Sequence, residues 1–144
     1  MKSHAYPPAT LLRRLAAALY DALLLAGLMM VAGALAVLVN GGEAIDNGNP
    51  LFRLYLFSVP GLFFLWFWTH GGQTLGMRAW QMRLVADGGG PLSPYQALLR
   101  LPLAALAWLS VIGLCWCVFD QRGRALHDIA SDSLIVVEPK AQKK

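Results

Sequence analysis

Charge is the property that this sequence has least of. Only 14% of its 144 residues are charged, whereas 57% are apolar; soluble domains carry about 25% and about 45–50%. This balance excludes an intrinsically disordered chain, which needs few apolar residues and much charge. It also argues against a soluble globule, because a single domain of this length leaves roughly a third of its surface in water.

Cysteine and histidine are also scarce, which excludes several kinds of chemistry. Cys115 and Cys117 are two positions apart, so on a helix they point to opposite sides and suit neither a redox pair nor a metal site. His70 and His127 are isolated, with no nucleophile placed to use them. The 12 Lys and Arg residues are too dispersed for a nucleic-acid surface. We therefore expect no catalysis, no cofactor, no metal and no nucleic-acid partner.

Three long stretches carry no charged residue: residues 22–42, 54–77 and 101–119. A helix needs about 20 mostly apolar residues to cross the hydrocarbon core, so three such stretches predict an integral, all-α membrane protein. The residues from 11 to 39 could also be a cleaved signal peptide. Their apolar run is longer than the usual apolar region of a signal peptide, and Asp21 interrupts it.

The predicted arrangement is a single membrane domain with six parts. These are helix one at 11–39, an outer loop at 40–51, helix two at 52–69, a cytoplasmic loop at 70–92, a third apolar segment at 93–119 and a basic tail at 120–144. Helix two contains Pro60, which is typical either of a hinge or cavity or of a proline that a membrane helix tolerates.

The distribution of positive charge predicts the orientation but leaves the third segment open. Positive residues mark cytoplasmic loops, which places the N-terminus and the loop 70–92 in the cytoplasm. Three full crossings would put the basic tail outside, against this rule. Two strand-like runs, at 81–85 and 133–137, could pair only on one side. We therefore favour a re-entrant hairpin over a third crossing, with a small cytoplasmic β-pair.

Asp21 is the first candidate for a functional residue, because an ionisable group inside a membrane helix is costly and usually faces a partner or water. Arg14 lies seven positions earlier on the same face, about 10 Å away along the axis. Arg100, Arg122 or Arg124 could supply a closer cation. Asp21 is then either an ion- or proton-binding site or half of a structural ion pair.

The remaining charged candidates lie at the membrane edge. Arg13 is typical of an interfacial anchor. The stretch 120–132 alternates acid and base, so it is either a solvated turn or a folded polar cap that holds Asp21 or Arg14. The glycine-rich run at 71–76 indicates a tight turn rather than a phosphate loop, because no Gly-Lys-Ser/Thr follows it.

Several of these elements together resemble the RDD family of small bacterial membrane proteins. The residues that carry the resemblance follow one another in order over nearly the whole chain: RRLAA at 13–17 with Asp21, GQTLGMR at 72–78, MRLV at 82–85, LS at 92–93, LLR at 98–100, residues 120–128, and LIVV at 134–137.

The family is named for one arginine and two aspartates, which by motif position correspond to Arg14, Asp21 and Asp128, with Asp120 as a competitor for the last. The resemblance implies a bacterial cytoplasmic-membrane location, and transport, including sodium–proton exchange, has been suggested for the family. This chain has Met77 where the family usually has lysine. It has residues SDS at 131–133 where the family usually has Ala-Gly-Thr.

Two functions are therefore expected as alternatives. In the first, a homo-oligomer is coupled to Na⁺ or H⁺ transport, with Asp21 as the binding group, Arg14 tuning it and Asp128 completing the polar site. In the second, the chain is a non-catalytic accessory subunit of a larger membrane complex. Its packing surfaces would be the aromatic helix two and the alanine ridge formed by Ala18, Ala22 and Ala26, since small residues let helices approach closely. The lipid bilayer is a partner in both.

Overall fold

Two long helices dominate the fold. The computed structural model describes residues 6–110 and 112–138; residues 139–144 of the basic tail lie outside the described part. Helix α1 is Leu11–Val39 and helix α2 is Pro50–Thr69. At 1.5 Å per residue they measure about 43 Å and about 30 Å, enough to cross the hydrocarbon core. Both are long and apolar enough to span a membrane.

The ends of both helices follow from local chemistry. Helix α1 stops where Gly41 and Gly42 take positive φ angles of 75° and 86°, which glycine adopts without strain. The side chain of Asn49 accepts hydrogen bonds from the first amides of α2 and Pro50 occupies its first turn, a favourable combination. Helix α2 therefore begins at Pro50, two residues before the expected start.

Large apolar side chains cover the outside of the two helices. Leu23 is 69% exposed, Met30 76% and Phe57 78%, and water would make such a surface very unfavourable. Inside the pair, the Tyr55 hydroxyl donates to the carbonyl oxygen of Ala32 at 3.1 Å. Lipid tails would cover the apolar outer surface of the two helices, as expected of an integral membrane protein.

Two short helices and a two-stranded sheet form from separate parts of the chain, one helix and one strand directly after α2 and the other two between residues 126 and 137. These elements are α3 (Leu75–Ala79), β1 (Met82–Ala86), α6 (Leu126–Ala130) and β2 (Ser133–Val137). The strands are antiparallel, with Met82 opposite Val137 and Ala86 opposite Ser133. The predicted β-pair is thus confirmed, and its first strand lies one residue further along than expected.

The N-terminal segment adds to the same sheet. Ala9 donates its amide hydrogen to the carbonyl oxygen of Ile135 at 2.8 Å, and Val137 donates to that of Pro7 at 2.9 Å. Residues 7–9 therefore cover the open edge of β2. The start of α1, the loop after α2 and the stretch from α6 to β2 consequently belong to one folded cap.

The third apolar segment is bent. It consists of α4 (Pro94–Ser110), α5 (Ile112–Cys115) and a 3₁₀ turn (Trp116–Val118), with an angle of 103° between the two parts. Hydrogen-bonded strands lie on one side of a bilayer, and this segment connects β1 to β2, so a single full crossing would separate them. The bend and the pairing of β1 with β2 therefore fit the expected re-entrant hairpin better than a single crossing. Its arms are unequal, since α4 begins well before the apolar stretch.

Candidate functional site

Asp128 lies at the centre of a buried polar cluster beneath the long helices. It is 0% exposed. Its Oδ2 accepts hydrogen bonds from Arg14 Nη1 at 2.6 Å and from the Ala125 amide at 3.0 Å. Its Oδ1 accepts from Arg100 Nη2 at 2.5 Å. One carboxylate therefore joins α1, α4 and α6.

Both arginines of this cluster are fixed by several contacts. Arg14 also donates from Nε to the Ala9 carbonyl at 3.2 Å and from Nη2 to the Gly123 carbonyl at 3.0 Å. Arginine's planar fork suits such multiple bonding, which lysine could not reproduce. The sequence suggested that Arg14 would tune Asp21; all three of its hydrogen bonds instead hold the cap.

Arg100 lies between a serine pair and an indole ring. Its Nη1 donates to Ser133 Oγ at 2.5 Å and, more weakly, to Ser131 Oγ at 3.4 Å. Its guanidinium carbon is 5.3 Å from the ring centroid of Trp68, within the range of a cation–π contact. Its Nε, although buried, has no hydrogen-bond partner among the described residues.

His127 packs against the same carboxylate. Its Nε2 is 3.4 Å from Asp128 Oδ1, and its Nδ1 is buried without a hydrogen-bond partner among the described residues. Burial and, after it, the positive charge of Arg100 outweigh the opposing effect of Asp128 and together lower the pKa of His127 to about 4. The imidazole is therefore neutral at pH 7.

At Asp128, unlike at His127, the neighbouring charges rather than burial decide the direction of the pKa shift. Burial alone would raise its pKa, but the charges of Arg100 and then Arg14 outweigh burial and hold the pKa well below its usual range. The carboxylate is ionised throughout the physiological range. A permanently charged group with two fixed cations is a structural tie rather than a proton-exchanging group.

Asp21 lies in different surroundings, further along α1. It is 5% exposed. Its Oδ2 accepts from the Thr74 hydroxyl at 2.5 Å and its Oδ1 from the Gly76 amide at 2.8 Å. Thr74 is the N-cap of α3, since its hydroxyl oxygen also accepts from the Met77 amide at 3.1 Å. Among the described residues Asp21 thus has two neutral donors and no ion pair; none of the suggested arginines pairs with it.

The close approach of α3 to α1 depends on Gly76. A Cβ at this position would lie 2.9 Å from the Asp21 carboxylate and would also overlap the Ala17 carbonyl. Only glycine fits here. The run at 71–76, expected to be a simple turn, therefore supplies both donors to Asp21.

A cavity of about 720 Å³ lies between α1, α2 and α4. Its walls are apolar, and Pro60 and Gly61 contribute to them. Asp21, Thr74, Arg100 and His127 line it together with Arg14. The two polar sites, one around Asp21 and one around Asp128, therefore adjoin a single cavity.

The other candidate residues lie away from these sites. Asp120 Oδ2 accepts from the amides of Arg122 and Arg124 and from Arg124 Nε; burial opposes these bonds, but together they lower its pKa. Arg122 also pairs with Asp87 at 3.2 Å. Arg13 donates to the Trp80 carbonyl at 3.2 Å. Asp128 rather than Asp120 therefore occupies the buried position.

Sequence reasoning missed several members of both sites. The sequence alone indicates a turn at Thr74 and Gly76 and an isolated histidine at position 127. It gives no recognisable signal for Trp68, Ser131 and Ser133. A threonine directly before a short stretch such as residues 75–79 is typical of a helix N-cap, and this signal could have marked α3. In the described part of the chain, no group of three His, Cys, Asp or Glu residues could hold a metal ion.

Comparison with known proteins gives one match. The family model described as the RDD family matches residues 8–132. No curated protein and no solved structure matches the chain. The matched range contains Asp21, Thr74 and Gly76 of one polar site and Arg14, Arg100 and Asp128 of the other.

Proposed function

The chain belongs to the RDD family, and we propose that it is a transport-related membrane protein in which Asp21 binds and releases H⁺ or Na⁺. One observation carries this proposal. A buried carboxylate in a membrane-spanning helix lines a cavity and, among the described residues, is bonded only to neutral donors. Asp128, by contrast, is already neutralised by Arg14 and Arg100.

The difference between the two carboxylates supports the assignment. An unpaired charge in an apolar surrounding is costly, whereas hydrogen bonds from Thr74 and Gly76 stabilise the ionised form. These effects oppose each other at Asp21, and a mobile cation can supply the missing positive charge. At Asp128 two fixed cations leave no such opportunity.

The polar cap gives this site a rigid support. Arg14 lies two turns before Asp21 on α1, and its bonds to Asp128 and Gly123 attach the start of α1 to α6 and the turn before it. Thr74 and Gly76 are attached to the same cap through β1. We propose that Arg14, Asp128 and Arg100 hold the geometry, while Asp21 and Thr74 bind the ion.

Transport by this chain would require more than one copy. Two long helices and one bent segment are too few to enclose a pathway. We propose a homo-oligomer in the bacterial cytoplasmic membrane, with the cap and the N-terminus in the cytoplasm. The supporting argument is charge: the cap side carries Arg13, Arg78 and Arg83, whereas the 40–49 loop carries Glu43 and Asp46.

The test is ion flux in proteoliposomes. The wild type, D21N and D46N are reconstituted, and Na⁺ and H⁺ movements are followed with a pH-sensitive dye and a sodium indicator. Asp46 lies in the exposed loop, so D46N is a matched control. We expect flux with the wild type and D46N and none with D21N. Absence of flux in all three, or flux retained in D21N, would refute the proposal.

A second, non-catalytic function has a separate observation in its favour. Ala18 and Ala22, two members of the alanine ridge, line the cavity. Small residues along an open groove suit a partner helix. As an accessory subunit, the chain would co-purify at fixed stoichiometry with a larger membrane protein, and A22F would abolish this. Purification of the chain alone from its native membrane would exclude it.

A further inference from the structure

The cavity between α1, α2 and α4 has the size and walls of a site for a molecule with an apolar body. Its volume is about 720 Å³, within the roughly 300–1,000 Å³ of ligand pockets. Leu25 and Phe57 contribute to its walls, and so do the rings of Phe64 and Trp108. Aromatic rings attract cations as well as apolar groups, so these walls suit a molecule that carries a positive charge.

Asp21 is the only acidic residue among the described residues that line this cavity. An ionised carboxylate can accept about four hydrogen bonds, and Asp21 receives two, from the Thr74 hydroxyl and the Gly76 amide. The rest of its acceptor capacity has no partner among the described residues, and neither has its charge. A carboxylate in apolar surroundings is stabilised by a cation beside it.

The positive charges around the cavity are engaged elsewhere. Arg14 and Arg100 also line it, but both pair with Asp128, and Arg100 Nε is buried. These three groups leave one positive charge at the cap end, with no ion pair between it and Asp21 in the described part of the chain.

The cavity extends from Asp21 in the direction away from these arginines. Arg14 precedes Asp21 by seven residues, about 10 Å along α1, whereas Leu25 follows it by about one turn. Phe57 lies on α2 and lines the same cavity. A ligand with its charge at Asp21 and its body toward Leu25 and Phe57 therefore points away from the positive cluster.

We propose that the cavity binds a singly charged organic cation, with its charge against the Asp21 carboxylate and its apolar body between α1, α2 and α4. A sodium ion at Asp21 would contact the carboxylate and Thr74 but leave the apolar walls without a partner, whereas an organic cation uses both. This inference rests on the proposed function in that it takes the same carboxylate as the cation site, and it names a substrate class for that site.

Binding of tetraphenylphosphonium tests the proposal, because this cation is permanently charged and its phenyl rings are apolar. The radiolabelled cation is dialysed to equilibrium against the full chain in detergent micelles, and binding to protein-free micelles is subtracted. D21N removes the charge but keeps an oxygen that can accept from Thr74 and Gly76. D46N is the matched control in the exposed loop. We expect saturable binding to the wild type and D46N, and binding at least about tenfold weaker to D21N.

Two comparisons leave Asp21 in place and separate the charge of the ligand from its shape. Tetraphenylborate has nearly the same shape and the opposite charge, so it should bind the wild type at least about tenfold more weakly. A104F places a ring in the cavity, whereas L106F adds a ring on the exposed side of α4. We expect A104F to weaken the Kd for tetraphenylphosphonium about tenfold or more and L106F to leave it unchanged.

Three results would overturn the proposal: no saturable binding of tetraphenylphosphonium, equal affinity for the cation and tetraphenylborate, or equal affinity for the cation in A104F and L106F. Ion flux is measured separately. Flux that D21N abolishes, without saturable binding of the cation, would overturn this inference and leave the proposed function. Binding in the expected pattern without any ion flux would refute ion transport and support the organic-cation site.

Discussion

Arg14 and Asp128 lie 114 positions apart in the chain and form a buried ion pair with 2.6 Å between Nη1 and Oδ2. The pair connects the first turn of a membrane-spanning helix to a short helix near the C-terminal end of the fold. Arg100 completes it from α4. Three separated elements thus meet on one carboxylate, and this contact, together with the sheet, holds the cap closed.

Removing the charge of Asp128 should severely destabilise the protein. D128N leaves two buried arginines without a counter-charge, which costs about 3–5 kcal/mol. We expect a large fall in the thermal unfolding midpoint in detergent micelles. D132N is the matched control, because Asp132 is exposed and its φ of 45° suits asparagine. Equal stability of the two variants would contradict the central role of Asp128.

Lysine should not replace Arg14. R14K keeps the charge but loses the fork that reaches Ala9, Asp128 and Gly123, and we expect a loss of about 1–3 kcal/mol in the free energy of unfolding. R13K, at the adjacent position with a single hydrogen bond, should change it by less than about 0.5 kcal/mol. Similar losses at both positions would be inconsistent with the observed contacts.

The free energy of unfolding should decrease as the pH falls through the range in which His127 titrates. Its pKa is about 4 in the folded protein against 6.5 unfolded, so the unfolded state binds the proton first as the pH falls. The contribution is complete above about pH 6.5 and is lost toward pH 4, to a total of about 3 kcal/mol.

The free energy of unfolding, measured from pH 6.5 to pH 4, should decrease in the wild type and in the control H70Q, because His70 is exposed. H127Q should lack this decrease, whatever its absolute stability. A decrease retained in H127Q would assign the titration to another group.

Gly76 should not tolerate a methyl group. In G76A the new Cβ meets the Ala17 carbonyl and the Asp21 carboxylate, which forces α3 away from α1 at a cost of about 1–3 kcal/mol. G27A is the control, since a Cβ at Gly27 meets nothing within 4 Å. We expect lower unfolding stability only for G76A. A G76A variant with the same unfolding stability as the wild type would show that α1 and α3 are not closely packed.

Labelling from the two sides of the membrane should reveal two crossings. In a cysteine-free background, G88C and Q121C lie in the exposed loops beside the cap, and N47C lies in the loop between α1 and α2. An impermeant thiol reagent should reach the first two from the cytoplasmic side and N47C from the opposite side. Labelling of G88C and Q121C from opposite sides would show that the bent segment crosses.

Some parts of the fold could be predicted from the sequence and others could not. The membrane helices and the β-pair followed from apolar stretches and β-branched residues, which are local signals. The partners of Asp21 did not follow. Thr74 and Gly76 lie more than fifty positions away, and a turn-forming stretch gives no sign of the helix against which it packs.

By itself, the sequence determined that the chain enters a membrane and where its two long helices lie, because hydrophobic transfer depends mainly on composition over about twenty residues. Only the tertiary structure decided which charges meet. The pairing of β1 with β2 brings Arg14, Arg100 and Asp128 together and leaves Asp21 with neutral donors. Burial and distance set the behaviour of an ionisable group, and neither is a property of the residue alone.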